Sequence, residues 1–214
     1  MASRLGRRMI RTANLTEPPR DVTFVALDIV GFGRHTSPEQ AALRRRLFDA
    51  VKAIKRGLIS YDVLDRGDGV LILLPAVTDM LRLLDKTLPG LADRLDAENR
   101  ADENDKMILR CVIHRGKAQR DRWGWVGEDV NLVFRLLDSR TLKKRLPTGD
   151  NRSPVTVALS EALYRDACKR VGGDDQLFHN RIKAGWHDSL TRYTFRAKEL
   201  DQHAWVASVG VVRS

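Results

Sequence analysis

Val22-Thr23-Phe24-Val25-Ala26-Leu27-Asp28-Ile29-Val30 is a run of β-branched and apolar residues that ends at Gly31. Its composition predicts a mostly buried strand, and its one carboxylate, Asp28, falls at the C-terminal end. After the loop Gly31-Phe32-Gly33-Arg34, Ser37-Pro38-Glu39-Gln40 has a capping-box pattern with proline at the first helical position. The helix that follows has an apolar stripe of Leu43, Leu47, Ala50, Val51 and Ile54, with Gly57 as its stop. Leu58 to Leu64 and Val70 to Leu74 are β-rich runs around Asp65-Arg66-Gly67-Asp68-Gly69, a hairpin with Asp68 at its tip.

Further on, a helix is expected from Thr78 through Leu95 with Pro89-Gly90 as a break inside it, then a polar loop over Asp96 to Asp105 and an apolar strand over Met107 to Ile113. Asp129 to Leu137 suits a helix that buries Val130, Val133, Phe134 and Leu137. Residues 140 to 153 read as a basic loop, Val155 to Leu159 as a strand, Ser160 to Val171 as a capped helix, and Tyr193 to Arg196 and Trp205 to Val212 as terminal strands. This order predicts an α+β fold of the ferredoxin-like kind, a mainly antiparallel sheet with helices on one face. Residues 1–20 read as a flexible basic arm and 21–214 as one domain, since 214 residues suffice for a single sizeable core.

A net charge of +10 favours polyanionic partners, either nucleic acid or a nucleotide triphosphate. Part of the excess is local, in five arginines before residue 21 and in Arg140, Lys143, Lys144, Arg145 and Arg152, and a solvated arm and loop would account for it equally well. Nucleic-acid binding is disfavoured because neither interleaved aromatics nor a helix-turn-helix or zinc pattern is present. No apolar run approaches the roughly 18 residues of a membrane span, and Met1-Ala2-Ser3-Arg4 lacks a secretory core, so a cytoplasmic location without membrane attachment is expected. Cys111 and Cys168 sit in no ligand spacing and are expected to be packed thiols.

Asp28 on one strand end and Asp68 on a turn forty residues later can share divalent cations bridging a triphosphate, and Gly31 and Gly33 around Phe32 let backbone amides meet phosphate oxygens. Taken singly, each of these is also an ordinary turn, and Asn131 and Arg135 are also a solvated helix face. The ordered set resembles the class III adenylyl and guanylyl cyclases. Phe24-x3-Asp28-Ile29-x-Gly31-Phe32 is similar to that family's first metal segment, and Arg66-Gly67-Asp68-Gly69-Val70 to its second. Leu109-Arg110-Cys111-Val112-Ile113-His114-x-Gly116 looks like the central strand and turn, and Gly127-x2-Val130-Asn131-x3-Arg135-Leu136 like the transition-state helix.

The resemblance spans residues 22 to 206 and weakens after 140. It implies that 21–214 is a nucleotidyl cyclase catalytic domain working as a homodimer with shared active sites. Two divalent cations, Mn²⁺ or Mg²⁺, would be held by Asp28, Asp68 and the Ile29 carbonyl. Gly31 and Phe32 would lie against the nucleotide, Asn131 would orient the ribose, and Arg135 would stabilise charge building on the phosphates. A basic residue near the C-terminus, Lys198 ahead of Arg196, would hold the triphosphate.

The chain departs from the family at the base pocket. Where adenylyl cyclases carry an adenine-reading lysine and guanylyl cyclases commonly a glutamate, it has Leu64, and where adenylyl cyclases place a second polar residue it has Gly124. An intact catalytic set with an altered base pocket resembles the pyrimidine cyclases of bacterial Pycsar antiphage systems, which implies UTP, then CTP, as substrate. Two other expectations stand beside this one: an adenylate cyclase with an altered base pocket, and a nucleotide sensor without turnover.

Overall fold

In β1 (Arg20–Ile29) successive side chains point to opposite faces, and both faces are apolar, so the strand lies in the middle of a sheet covered on both sides. The computed structural model describes residues 17–56, 62–102, 106–146, 153–182, 186, 190–197 and 200–210. Val25, Leu27 and Ile29 pack against α1 (Ser37–Lys55), α3 (Leu88–Ala101), α6 (Glu161–Arg170) and α7 (Asp175–Ile182). Val22, Phe24 and Ala26 meet α4 (Glu128–Asp138) and α5 (Arg140–Lys143) on the other face. The expected α+β fold is therefore present, with most helices on one face and α4 and α5 added on the second.

The strand order is β2-β3-β1-β4-β6-β8-β7, formed by β2 (Asp62–Asp65), β3 (Gly69–Pro75), β4 (Leu109–Asp121), β6 (Val155–Ser160), β7 (Thr191–Ala197) and β8 (Leu200–Val209). All neighbours are antiparallel except β4 and β6, and the short β5 (Gly124–Val126) pairs with the end of β4. The portion β1-α1-β2-β3-α3-β4 has the ferredoxin-like arrangement, and β6, β8 and β7 extend it beyond β4.

Several local expectations change. The α1 cap is Thr36, not Ser37: Glu39 Oε2 accepts from the Thr36 amide at 2.7 Å and from its hydroxyl at 2.9 Å, so Pro38 is the second helical residue. The Thr78–Leu95 helix divides into α2 (Met80–Arg82), a π-helical turn over Leu83–Thr87, and α3. Pro89 has no N–H for the carbonyl four residues back, and the turn before it widens to accommodate this. Helix α3 continues to Ala101 through what reads as a polar loop, because Asn99 is buried and ties its side chain to the Met107 backbone at 2.8 and 2.9 Å. Strand β4 runs eight residues past Ile113, and Arg140–Lys143 is helical, capped by the Ser139 hydroxyl. Residues 1–16, within the expected arm, lie outside the described residues, as do 147–152 of the basic loop. No helix among the described residues is long and apolar enough to cross a membrane.

Candidate active site

Alternation along β1 puts Asp28 on the face of Phe24 and Ala26, under α4, and pairing with β3 puts Gly69 directly opposite it. A Cβ at Gly69 would lie 2.4 Å from the Leu27 carbonyl oxygen, so only glycine lets the hairpin dock this closely. Just before it, the Ile29 amide donates to the Asp68 carbonyl at 2.9 Å. Asp28, Ile29 and Asp68 therefore converge at one corner of the sheet, as the sequence suggests.

The two carboxylates differ in environment. Asp68 is exposed on the hairpin, whereas Asp28 is only 8% exposed and paired with the Arg110 guanidinium across β1 and β4. Burial pushes the Asp28 carboxyl up, Arg110 pulls it back, and repulsion from Asp68 and Asp138 adds to the rise, which wins. Asp28 is thus a buried, ion-paired carboxylate on which the fold depends. Asp28→Ala would leave the buried Arg110 charge without its carboxylate, at a cost of about 3–5 kcal/mol.

Two arginines hold the hairpin. Arg44 on α1 bonds the Asp65 carboxylate at 2.5 and 3.1 Å and also donates to the Gly67 carbonyl, while Arg66 lies over the Phe134 ring of α4 at 4.3 Å. Sequence reasoning missed Arg44 and gave Arg66 only as part of a motif, because both partners are distant in the chain. On the other side of Asp28, Gly31 has φ 78° and opens a 3-10 turn over Phe32–Arg34 that leads to α1. Phe32 is half-buried against the core, and its carbonyl accepts from the Gln40 side chain at 3.4 Å.

Asn131 and Arg135 are one turn apart on the exposed side of α4, while Val130, Val133, Leu136 and Leu137 are buried on the opposite side. The first turn of α4 is fixed by Asp129, which accepts from the Lys117 amide at 2.6 Å and meets His114 Nε2 at 3.0 Å. A Cβ at Gly116 would lie 2.3 Å from the Asp129 carboxylate, so Gly116 makes room for it. His114 Nδ1 meets the Ser160 hydroxyl at 2.8 Å, and that hydroxyl also accepts from the Leu163 amide at 3.3 Å at the start of α6. Since the carboxylate only accepts, Nε2 carries the proton and Ser160 donates to Nδ1. The Ser-His-Asp chain is a brace between β4, α4 and α6 whose histidine and serine are buried; the serine is committed to capping and only 4% exposed.

Burial lowers the His114 pKa, and the hydrogen bond and charge of Asp129 offset only part of this. The unfolded chain then takes up the imidazole proton first, near pH ~6.5. Stability from neutral His114 is complete above that pH and is lost as pH falls below it. The urea midpoint should drop between pH 7.5 and 5.5, and His114→Gln should flatten that part of the profile; an equally steep profile in the variant would assign the loss to other groups.

Leu64 is half-buried on β2 against the cluster containing Trp125, and Gly124 opens β5. The Trp125 indole donates to Asp62 Oδ2 at 3.1 Å, which joins β5 to β2 and makes Leu64 and Gly124 parts of one region. Lys198 lies outside the described residues, as does the Arg196 side chain; the Arg196 backbone is in β7. Among the described residues no cluster of three or more His, Cys, Asp or Glu side chains could hold a metal. Two carboxylates with a nearby backbone carbonyl are instead the donor set suited to a hard divalent ion that takes its remaining ligands from phosphate and water.

No protein-family model matches the chain. No curated protein matches it either. Solved structures do. The guanylyl cyclase Cya2 is 17% identical, with 91% of this chain and 94% of that chain covered at a TM-score of 0.56. The adenylyl cyclase CyaB from P. aeruginosa is 14% identical over 92% and 96%, at 0.57. The catalytic core of a rhodopsin-guanylyl cyclase with converted specificity, in complex with ATPαS, is 16% identical over 90% and 98%, at 0.54. At such identities the likeness is one of fold: the chain has the fold of class III cyclase catalytic domains, over nearly its whole length.

Proposed function

We propose that this chain is a nucleotidyl cyclase that converts a nucleoside triphosphate into a 3′,5′-cyclic mononucleotide and pyrophosphate. The observation that carries the proposal is the convergence of Asp28, Ile29 and Asp68 at one sheet corner, made possible by Gly69, within a cyclase fold. Asp28, Asp68 and the Ile29 carbonyl would hold the two divalent cations, Mn²⁺ or Mg²⁺. When bound, these would neutralise the triphosphate and favour ionisation of the ribose 3′-hydroxyl. Gly31 and Phe32 would line the phosphate side.

Asn131 would orient the ribose, and Arg135 would sit against the charge that grows as the 3′-oxygen attacks the α-phosphorus and pyrophosphate leaves. Lys198 would hold the triphosphate. Asn131 and Arg135 point outward from α4, and the β4–β5 hairpin beside it exposes Trp123 (74%) and Val126 (41%). Both features support a homodimer in which each helix completes the other protomer's site.

For the base, the apolar Leu64 and the side-chain-free Gly124 offer no donor to a purine ring. UTP is the favoured substrate and CTP the next, which would suit a second-messenger synthase in antiphage defence. Purified protein incubated with ATP, GTP, UTP and CTP at equal concentrations with Mn²⁺ should give cyclic UMP or cyclic CMP as the main product by mass spectrometry. Cyclic AMP as the main product would sink the pyrimidine assignment and leave the cyclase; no product from any nucleotide would favour a sensor without turnover.

A further inference from the structure

A row of polar residues crosses the α4 face of the sheet. The register aligns Asp28 with Arg110, Arg110 with Thr156 and Thr156 with Ser208 on four successive strands, and all four are buried. Arg110 holds Asp28 with one Nη and meets the Leu137 carbonyl, in the last turn of α4, with the other at 3.4 Å. Among the described residues, two atoms of this row have no hydrogen-bond partner: Arg110 Nε and Thr156 Oγ1. Buried polar groups are nearly always paired, so side-by-side orphans on strands only ~4.8 Å apart call for a reason.

We infer that Arg110 is a positioning residue that holds Asp28 until a divalent cation arrives and then turns to the Thr156 hydroxyl, so that loading of Asp28 is transmitted to the last turn of α4. This rests on the two-metal reading proposed above. A guanidinium and a divalent cation repel, and they compete for the same carboxylate lone pairs in a site with little water to screen them. Once displaced, the guanidinium has two acceptors within its own reach. The Leu137 carbonyl is at the negative end of the α4 dipole, where a cation is welcome, and its present 3.4 Å bond has room to shorten. The Thr156 hydroxyl is unpaired and one strand away. The displaced state therefore satisfies the two orphans that the metal-free state leaves open, and it tightens α4, the helix carrying Asn131 and Arg135. In a dimer with shared sites, that helix serves the partner's site, so filling one site alters the other.

Mn²⁺ alone, without nucleotide, tests this on the full chain, with uptake followed by the EPR signal of free Mn²⁺ and backbone exchange by mass spectrometry. In the wild type, Mn²⁺ should slow exchange over Phe134–Asp138 severalfold. Thr156→Val should be as stable as wild type in EDTA, since its hydroxyl bonds nothing there, yet bind Mn²⁺ about tenfold more weakly. Arg110→Lys keeps a cation for Asp28 and the fold, but one ammonium cannot span Asp28 and Leu137. It should take up Mn²⁺ within a few-fold of wild type and lose the exchange response of α4. Mn²⁺ uptake with unchanged α4 exchange in the wild type, or wild-type affinity in Thr156→Val, overturns the inference and leaves the metal site standing. A wild type that takes up no Mn²⁺ overturns both.

Discussion

Asp68→Ala is expected to lower turnover by about a thousandfold or more, equivalent to about 4 kcal/mol of transition-state stabilisation, with no loss of melting temperature in the metal-free protein. Asp68 is the cleaner of the two carboxylates to remove. Its side chain is exposed on the hairpin, and its structural contribution, the carbonyl that accepts from the Ile29 amide, belongs to the backbone and survives the substitution. Removing it also relieves the repulsion it exerts on Asp28. A thermal scan in EDTA should therefore match or exceed wild type. Retention of more than about a tenth of wild-type turnover would cap the loss at about 1.4 kcal/mol, too little for a ligand to two cations, and would remove the two-metal assignment. Asp28→Ala gives a less clear result, because any loss of activity is mixed with destabilisation from a buried Arg110 that has lost its carboxylate.

Two inactive variants should restore each other. If Asp28 and Asp68 of one protomer face Asn131 and Arg135 of its partner, a dimer of one Asp68→Ala chain and one Arg135→Ala chain has one site lacking both groups and one site intact. Arg135 suits this experiment because it is exposed on α4 and the buried side of the helix does not depend on it. After subunit exchange, about half of the dimers are mixed and each has one of two sites, so activity should rise from background to about a quarter of wild type. If the mixed dimer is verified by tags and the activity stays at background, each protomer has its own complete site and the shared-site arrangement is wrong.

The parts of the site that could be read from sequence are those with a local pattern. β1 shows as a β-branched run, the hairpin as two such runs around Gly67-Asp68-Gly69, and α4 as an apolar side of Val130, Val133, Phe134 and Leu137, of which Phe134 is only half-buried, with Asn131 and Arg135 between them. What sequence did not give depends on which strands become neighbours. Arg110 occupies a polar position in an apolar strand, a sign of something to be paired, but its partner Asp28 is 82 residues away. The same holds for His114, whose meaning depends on Asp129 and Ser160 arriving from two helix starts. The cap of α1 was ambiguous in principle: Thr36-x-x-Glu39 and Ser37-x-x-Gln40 both match a capping box, and only the path of the chain into the helix decides between them. β5 is three residues long and α7 eight, too short for their periodicity to stand out.

The long separation between Asp28 and Arg110 also dictates when the site can come into being. During synthesis β1 emerges before β4, and its carboxylate waits for 82 residues before the strand carrying its arginine leaves the ribosome. Pairing of β1 with β4 is a non-local contact, slow to form because the intervening chain must first be confined. A nascent chain that has completed the β1-α1-β2-β3 segment already carries Asp28 and Asp68, yet lacks the strand that holds Asp28 in place and the helix that bears Arg135. If the chain is the cyclase proposed above, its activity would therefore appear late and abruptly as the polypeptide grows, and a fragment released early by a stalled ribosome would be silent.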